Sequence, residues 1–250
     1  MMTQQEARLK SAAGSIAQIT NIALCDIAIE RASSRTTGLP GMVVFYGPSG
    51  YGKSIAANFV ANSRRAHYVQ AKSVWTKKHF LKSVLFEMGI KPAGTIPEMA
   101  DQIAEELAHS NRPLIIDEMD HIVDRHAVEL VRDLYESSHA PILMIGEEGL
   151  PAKLKKIERM HGRMLDWIPA QPVTVDDAKK LTGIYCPNVD IHDDLLSHVV
   201  GLANGSVRRV CVNLDRIQEQ AMIAGMKVID LASWGKRELY TGDAPKRRIQ

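Results

Sequence analysis

The chain has 250 residues, 45% hydrophobic and 24% charged, which describes a globular protein with one full core and a small appendage, and excludes a disordered or fibrous chain. Its 31 Lys and Arg against 29 Asp and Glu leave a net +2, which neither favours nor excludes a polyanionic partner. Three cysteines (Cys25, Cys186, Cys211) cannot all pair and lack metal-binding spacing, no apolar run approaches the roughly 20 residues of a membrane span, and the opening MMTQQEARLK lacks a signal core, so the expectation is a cytoplasmic protein with reduced thiols and no membrane partner.

Residues 1–38 read as a polar start leading into a helix, QITNIALCDIAIERASS, with apolar Ile19, Ile22, Ala23, Cys25, Ile27 and Ile29. It stops before the turn-forming TTGLPG. From 39 to 173 short apolar runs alternate with helical stretches. The runs MVVFY, HYVQA, PLIID, PILMIG and, less cleanly, MLDWI predict five strands. Between them SIAANFVANSRR, KKHFLKSVLFEMG, TIPEMADQIAEELAHS, AVELVRDLYESS and LPAKLKKIERM predict helices, with Thr95 and Glu98 offering a capping box. This alternation implies a parallel sheet covered on both faces, a three-layer α/β domain. Over 174–250 everything reads as helix: VDDAKKLTGIY, DDLLSHVVGLA, SVRRVCVNLDRIQEQAMIAG and DLASWGKREL, then a basic tail, PKRRIQ.

Two motifs carry chemistry. GPSGYGKS (Gly47, Pro48, Ser49, Gly50, Tyr51, Gly52, Lys53, Ser54) fits G-x-x-x-x-G-K-[ST] at every position, after a predicted strand and opening a predicted helix. Its backbone N–H groups, through Ile55, would converge on a phosphate; Lys53 would reach the β- and γ-phosphates and Ser54 would bind Mg²⁺. The strand PLIID ends in Asp117-Glu118, where Asp117 would hold Mg²⁺ and Glu118 would polarise the attacking water. No Asn-Lys-x-Asp guanine-reading motif is present, so the expected nucleotide is ATP.

Phosphate loop, Asp-Glu strand, PILMIGEEG as a fourth strand and a helical tail with GSVRRV together resemble the AAA+ ATPases, across roughly residues 20–235. That resemblance implies a P-loop NTPase sheet of strand order 5-1-4-3-2 followed by a small helical lid. It implies Arg208, in Gly205-Ser206-Val207-Arg208, as the lid's γ-phosphate contact, with Arg209 as a substitute. It places the sensor after the fourth strand at Glu147, where a carboxylate departs from the usual hydrogen-bond donor. It also implies an arginine finger acting on a neighbouring subunit: Arg163, with Arg159 next in line.

Charge is unevenly distributed. Ile55 to Phe86 contains no acid but holds Arg64, Arg65, Lys72, Lys77, Lys78 and Lys82, interleaved with Tyr68, Trp75 and Phe80. Such a block suits a polyanion, with Lys72, Lys77 and Lys78 as the expected DNA contacts; the alternative is a solvated helix face with its aromatics in the core. A second cluster, Lys153, Lys155, Lys156 and Arg159, suits a subunit interface. Within AAA+, the compact chain, the helix-first N-terminus and GMVVFYGPSGYGKS most resemble the phage Mu B-type transposition ATPases and their transposon relatives. The implied protein is an ATP-dependent, sequence-nonspecific binder of double-stranded DNA in a bacterial host cell. It would assemble as a homo-oligomeric helical filament or ring on target DNA and deliver that DNA to a transposase. About 38 residues leave no room for a separate N-terminal DNA-binding domain, so contact would fall to the ATPase domain. A replication initiator or helicase loader shares every motif. A small-molecule P-loop kinase would need neither the Asp-Glu pair nor the helical domain.

Overall fold

The computed structural model describes residues 17–243. The polar start to residue 16 and the tail PKRRIQ lie outside the described residues. The described residues divide into two compact units: Asn21–Ser49 with Lys53–Ala170, and 171–243 with 17–20 and Gly50–Gly52.

The α/β unit takes its elements in the order α1 (Thr20–Ser33), β1 (Met42–Tyr46), α2 (Lys53–Arg64), β2 (His67–Gln70), α3 (Lys77–Glu87), α4 (Ile96–Ser110), β3 (Leu114–Asp117), α5 (Met119–Asp124), α6 (Val128–Ser138), β4 (Ile142–Gly146), α7 (Leu150–Lys155), α8 (Glu158–His161) and β5 (Met164–Pro169). Every strand pair is parallel and the order is β2-β3-β4-β1-β5. The inner strands β3 and β4 are buried at every residue, as their unbroken apolar runs require. Met42, Val44, Ile116 and Met144 share a core with Phe80 and Leu81 of α3, Met99 and Ile103 of α4 and Val131 of α6. Their alternating neighbours Val43, Phe45, Ile115, Leu143 and Ile145 are equally buried and point to the opposite face.

Local signals explain several boundaries. Thr95 caps α4 through a complete capping box with Glu98, Pro97 occupies the first turn, and Asn111 ends the helix in the left-handed region. The run LPAKLKKIERM does not form one helix but breaks between α7 and α8. Leu154 and Met160 are both buried, yet six residues carry a continuous helix about 240° round, so the break returns Met160 to the core. The six-residue helix α5 was not anticipated; MDHIVD is too short to show a period, although Met119 and Ile122 are both buried. Neither sheet edge is a long free strand. β2 has four residues, and β5 slips register opposite Met42 and Val43 and ends in Pro169.

The C-terminal unit holds α9 (Val175–Tyr185), β6 (Asp190–Ile191), α10 (Asp193–Ala203), α11 (Val207–Ile223), β7 (Val228–Ile229) and α12 (Leu231–Trp234). It is built mainly of helices, with a two-residue parallel pair, β6 with β7, too short to leave a pattern in the sequence. α12 is shorter than DLASWGKREL because Gly235, at φ 65°, turns the chain away. No helix among the described residues is long and apolar enough to cross a membrane.

His67, at the start of β2, is 1% exposed, and neither ring nitrogen meets a hydrogen-bond partner among the described residues. Burial, reinforced by the Arg112 charge, pushes its pKa below the usual imidazole value. The unfolded chain therefore takes up this proton first, near pH 6.5, and stability is lost as pH falls through that value. His67→Leu should raise stability by about 1 kcal/mol at neutral pH and by more at pH 5, measured as the Tm difference from wild type. An equal difference at both pH values would remove His67 as the source.

Candidate functional site

The site begins where β1 ends. Gly47 N–H donates to Gly146 O at 3.4 Å, so the loop leaves the sheet beside β4. Gly50 and Gly52 sit at φ 86° and 83°, where any other L residue is strained, so these two glycines make the turn possible. α2 has no acid in its first turn, which leaves its unbonded N–H groups to an anion. Lys53 folds back along the loop and donates to Gly47 O at 2.6 Å and Pro48 O at 2.9 Å. Burial lowers its pKa from the usual lysine value, against the opposing pull of Glu147, Glu118, Asp117 and Asp120. Ser54 is half-buried one residue into the helix, and Ile55 beside it is exposed.

The carboxylates gather around the end of β3. Asp117 is 2% exposed; its Oδ1 accepts from Glu118 N at 2.8 Å and its Oδ2 from the Tyr68 hydroxyl at 2.9 Å. Each oxygen keeps a second lone pair, so the group can still bind a hydrated cation. Burial, then the Asp117 charge, raises the Tyr68 pKa, which keeps the phenol a donor. Glu118 adopts φ 54°, a left-handed conformation uncommon for its type and frequent where function holds a strained backbone. Burial, with Asp117 second, raises its pKa above the usual carboxylate value.

One turn on, Asp120 does work that the motif does not announce. Its Oδ2 accepts from Glu147 N at 2.8 Å, and its Oδ1 lies 3.0 Å from Lys153 Nζ, which also reaches Asp124 at 2.9 Å. Gly146 has no room for a Cβ because the Asp120 carboxylate and Leu150 press against it. Tyr68, Asp120 and Lys153 are the participants that sequence reasoning missed. The last was assigned to a basic cluster, whereas it is paired with acids.

The expected polyanion surface narrows. Arg64 is ion-paired with Asp26 and Glu30 of α1, Phe80 is fully buried, Trp75 packs half-buried against the core, and Tyr68 is taken by Asp117. The aromatics of the basic block are therefore packed or hydrogen-bonded, with Phe80 in the core as the alternative reading had it. Lys72, Lys77 and Lys78 are all exposed. The side chains of Lys72 and Lys77 make no hydrogen bond or ion pair among the described residues, whereas Lys78 Nζ donates to Gly94 O at 2.7 Å. Thr76 caps α3 by accepting from His79 N.

Arg163 lies at the other end of the sheet. Its carbonyl accepts from Met42 N, at the start of β1, and the strand's five residues put about 15 Å between it and the phosphate loop. Its guanidinium pairs with Glu136, and together with Arg132, Asp133, Glu158 and Arg159 it lines a surface cleft of about 530 Å³. In the C-terminal unit, which takes in Gly50–Gly52, Ser206 caps α11 by accepting from Arg209 N, and Arg208 N donates to Gly50 O at 3.2 Å. Gly205, at φ 80°, faces the Tyr51 hydroxyl and Pro172 so closely that a Cβ would collide. Arg208 is exposed and its side chain makes no ion pair among the described residues, while Arg209 is half-buried beside Gly242. Among the described residues no cluster of His, Cys, Asp and Glu could hold a metal unaided.

A parallel sheet in this order, with the phosphate loop after β1 and the acidic pair after β3, is the AAA+ P-loop NTPase fold. Residues 36–154, just under half of the chain, match the family described as AAA domain. Among solved structures, the chain is similar to the Aeropyrum pernix Orc2 protein in ADPNP-ADP complexes, at 15% identity and TM-score 0.62 over 84% of this chain and 64% of that one. It is similar to the Aeropyrum pernix Orc1 protein in complex with DNA, at 17% identity and TM-score 0.55 over 92% and 63%. It is also similar to the Thermotoga maritima RuvB Holliday junction branch migration motor, at 17% identity and TM-score 0.58 over 86% and 67%. At such identities the likeness is one of fold, and the chain spans less than two thirds of the Orc proteins' length. No curated protein matches the chain in sequence.

The raised Glu118 pKa has a consequence independent of any ligand. Above that pKa the folded state carries a carboxylate it holds less favourably than the unfolded chain does, so this group costs stability at neutral and higher pH. Glu118→Gln should raise Tm at pH 7–8, with the gain shrinking as pH falls toward 4.5. A lower Tm for the variant at pH 8 would show that the carboxylate is stabilised where it stands.

Proposed function

We propose that the protein is an ATP-hydrolysing AAA+ ATPase that binds duplex DNA without reading its sequence, oligomerises on it and presents it to a transposase. The observation that carries the ATPase part is the set Lys53, Asp117 and Glu118, at the carboxyl ends of β1 and β3, the two parallel strands that flank β4, with Lys53 opening a helix whose first turn holds no acid. The loop from Gly47 to Ile55 supplies N–H groups to the phosphates, and Lys53 exchanges its loop carbonyls for phosphate oxygens. Mg²⁺, held by Ser54 and by Asp117 through water, would neutralise charge between the β- and γ-phosphates. Glu118 orients water and takes its proton, a role suited to a carboxylate of raised pKa. Arg208 lies on the unit that includes the loop tip and has no competing ion pair among the described residues.

Arg163 is too far from its own phosphate loop to act there, which favours action on a neighbouring subunit. The DNA part rests on Lys72, Lys77 and Lys78. Lys77 and Lys78 occupy the first turn of α3, where the helix dipole disfavours each cation by about 0.3–1 kcal/mol, and a bound phosphate would reverse that cost. The transposase is supported by the Mu B-type resemblance of the sequence. A second reading, a replication initiator or helicase loader, is favoured by the structural likeness to Orc proteins, one of them solved with DNA.

Arg163→Ala and Lys53→Ala should each abolish hydrolysis, and mixing them should restore a fraction of it, because mixed interfaces combine one intact Arg163 with one intact phosphate loop. Normal hydrolysis by Arg163→Ala alone would move the finger to Arg159. The DNA reading is tested by Lys77→Ala with Lys78→Ala. Filter binding at stepped salt should show ATP-dependent, sequence-indifferent affinity that falls with salt, a slope reduced by about 2 in the double variant, and unchanged ATP binding. Equal slopes would return these lysines to a solvated helix face. Electron microscopy of the same mixtures separates the readings: a continuous helical coat on duplex DNA supports target delivery, and discrete closed rings support the initiator.

A further inference from the structure

The stretch between β2 and α3 carries Lys72 and leads into Lys77 and Lys78. It is held chiefly by the segment that starts at Asp117. The Tyr68 hydroxyl, on the strand feeding the stretch, donates to Asp117 Oδ2 at 2.9 Å, and Ala71 N donates to Asp117 O at 2.9 Å. Farther on, Arg125 closes α5 and donates from both Nε and Nη2 to Ser73 O, at 3.1 and 2.8 Å. The six residues of α5 thus join the buried carboxylate to the backbone beneath the lysines.

Arg125 is an unusual strut. It is exposed, and its guanidinium pairs with no acid among the described residues but chelates one backbone carbonyl. The stretch it grips has little packing of its own: Val74 is 78% exposed, and only Ala71 at its start and the half-buried Trp75 reach the core. At the opposite end of α5, Glu118 stands in a left-handed conformation, which is uncommon for its type and costs backbone strain. A change at Asp117 or Glu118 can therefore displace α5 as a body and, with it, Ser73.

We propose that Arg125 is a positioning residue that couples the nucleotide site to the lysine stretch, so that occupancy at Asp117 and Glu118 sets where Lys72, Lys77 and Lys78 stand. This rests on the proposed function for its two ligands, ATP and duplex DNA. Coupling is reciprocal: what ATP does to DNA affinity, DNA does to ATP affinity by the same factor.

The test uses the full chain and hydrogen exchange of a peptide spanning 71–79, with and without Mg–ATP. In the wild type, Mg–ATP should change exchange in this peptide. Arg125→Ala should abolish the change while leaving ATP affinity and DNA-free hydrolysis as they were, and Arg125→Lys, which keeps a donor, should restore part of it. Tyr68→Phe, which removes the second strut without altering the ring, should blunt the same response. With DNA, the ATP-induced gain in affinity, about fivefold or more in the wild type, should vanish in Arg125→Ala. An exchange response to Mg–ATP that survives Arg125→Ala, or is missing from the wild type, overturns the proposal. A response that needs Arg125 in a protein that binds no DNA keeps the coupling and rejects the DNA reading instead.

Discussion

A carboxylate buried at the end of a strand must be given donors by its surroundings, and much of the α/β unit is arranged so that Asp117 receives them. One donor is the Glu118 N–H, turned onto Oδ1 at the point where the chain enters its left-handed step. The other is the Tyr68 hydroxyl, which requires β2 to lie beside β3 in the register that sets Gln70 opposite Asp117. That register brings both chains out of the sheet at one level, so Ala71 can donate to the Asp117 carbonyl. Sheet order, strand register and a strained residue are thus joined at a single anionic group.

Lys53 is the complement of that anion. It sits among four carboxylates yet rests on loop carbonyls, so the local field is negative apart from one ammonium and the helix N-terminus. Such a field favours a cation on the Asp117 side and an anion on the loop side. A polyphosphate with its metal presents that pair of charges.

The elements legible in the sequence are those whose cause is local. The five strands announced themselves as apolar runs, α4 by its capping box, and the phosphate loop by glycines at positions that need positive φ. The roles of Tyr68, Asp120, Lys153 and Arg64 were not legible, because each is fixed by a partner far along the chain: Asp120 by Glu147, Arg64 by Asp26, Tyr68 by Asp117. A count of bases between Ile55 and Phe86 cannot know that one is neutralised by a preceding helix. It also cannot know that a phenol in the block is turned onto an acid. The break between α7 and α8 stayed hidden for a different reason, since apolar spacing gives a period but not the cost of pointing Met160 away from the core.

The edges of the sheet bear on how copies of this chain can come together. A free strand edge is a template that any extended segment can join, and chains stacked through such edges part slowly. Here β2 is only four residues long, while β5 is bulged against β1, holds Asp166 in an ion pair with Arg31, and ends in proline. Backbone-to-backbone joining is thereby discouraged, and any contact between copies would be left to side chains and charges. Assemblies of that kind come apart when a charge is removed or a salt bridge is screened, so their lifetime can be set by chemistry at the surface rather than by the unravelling of a sheet.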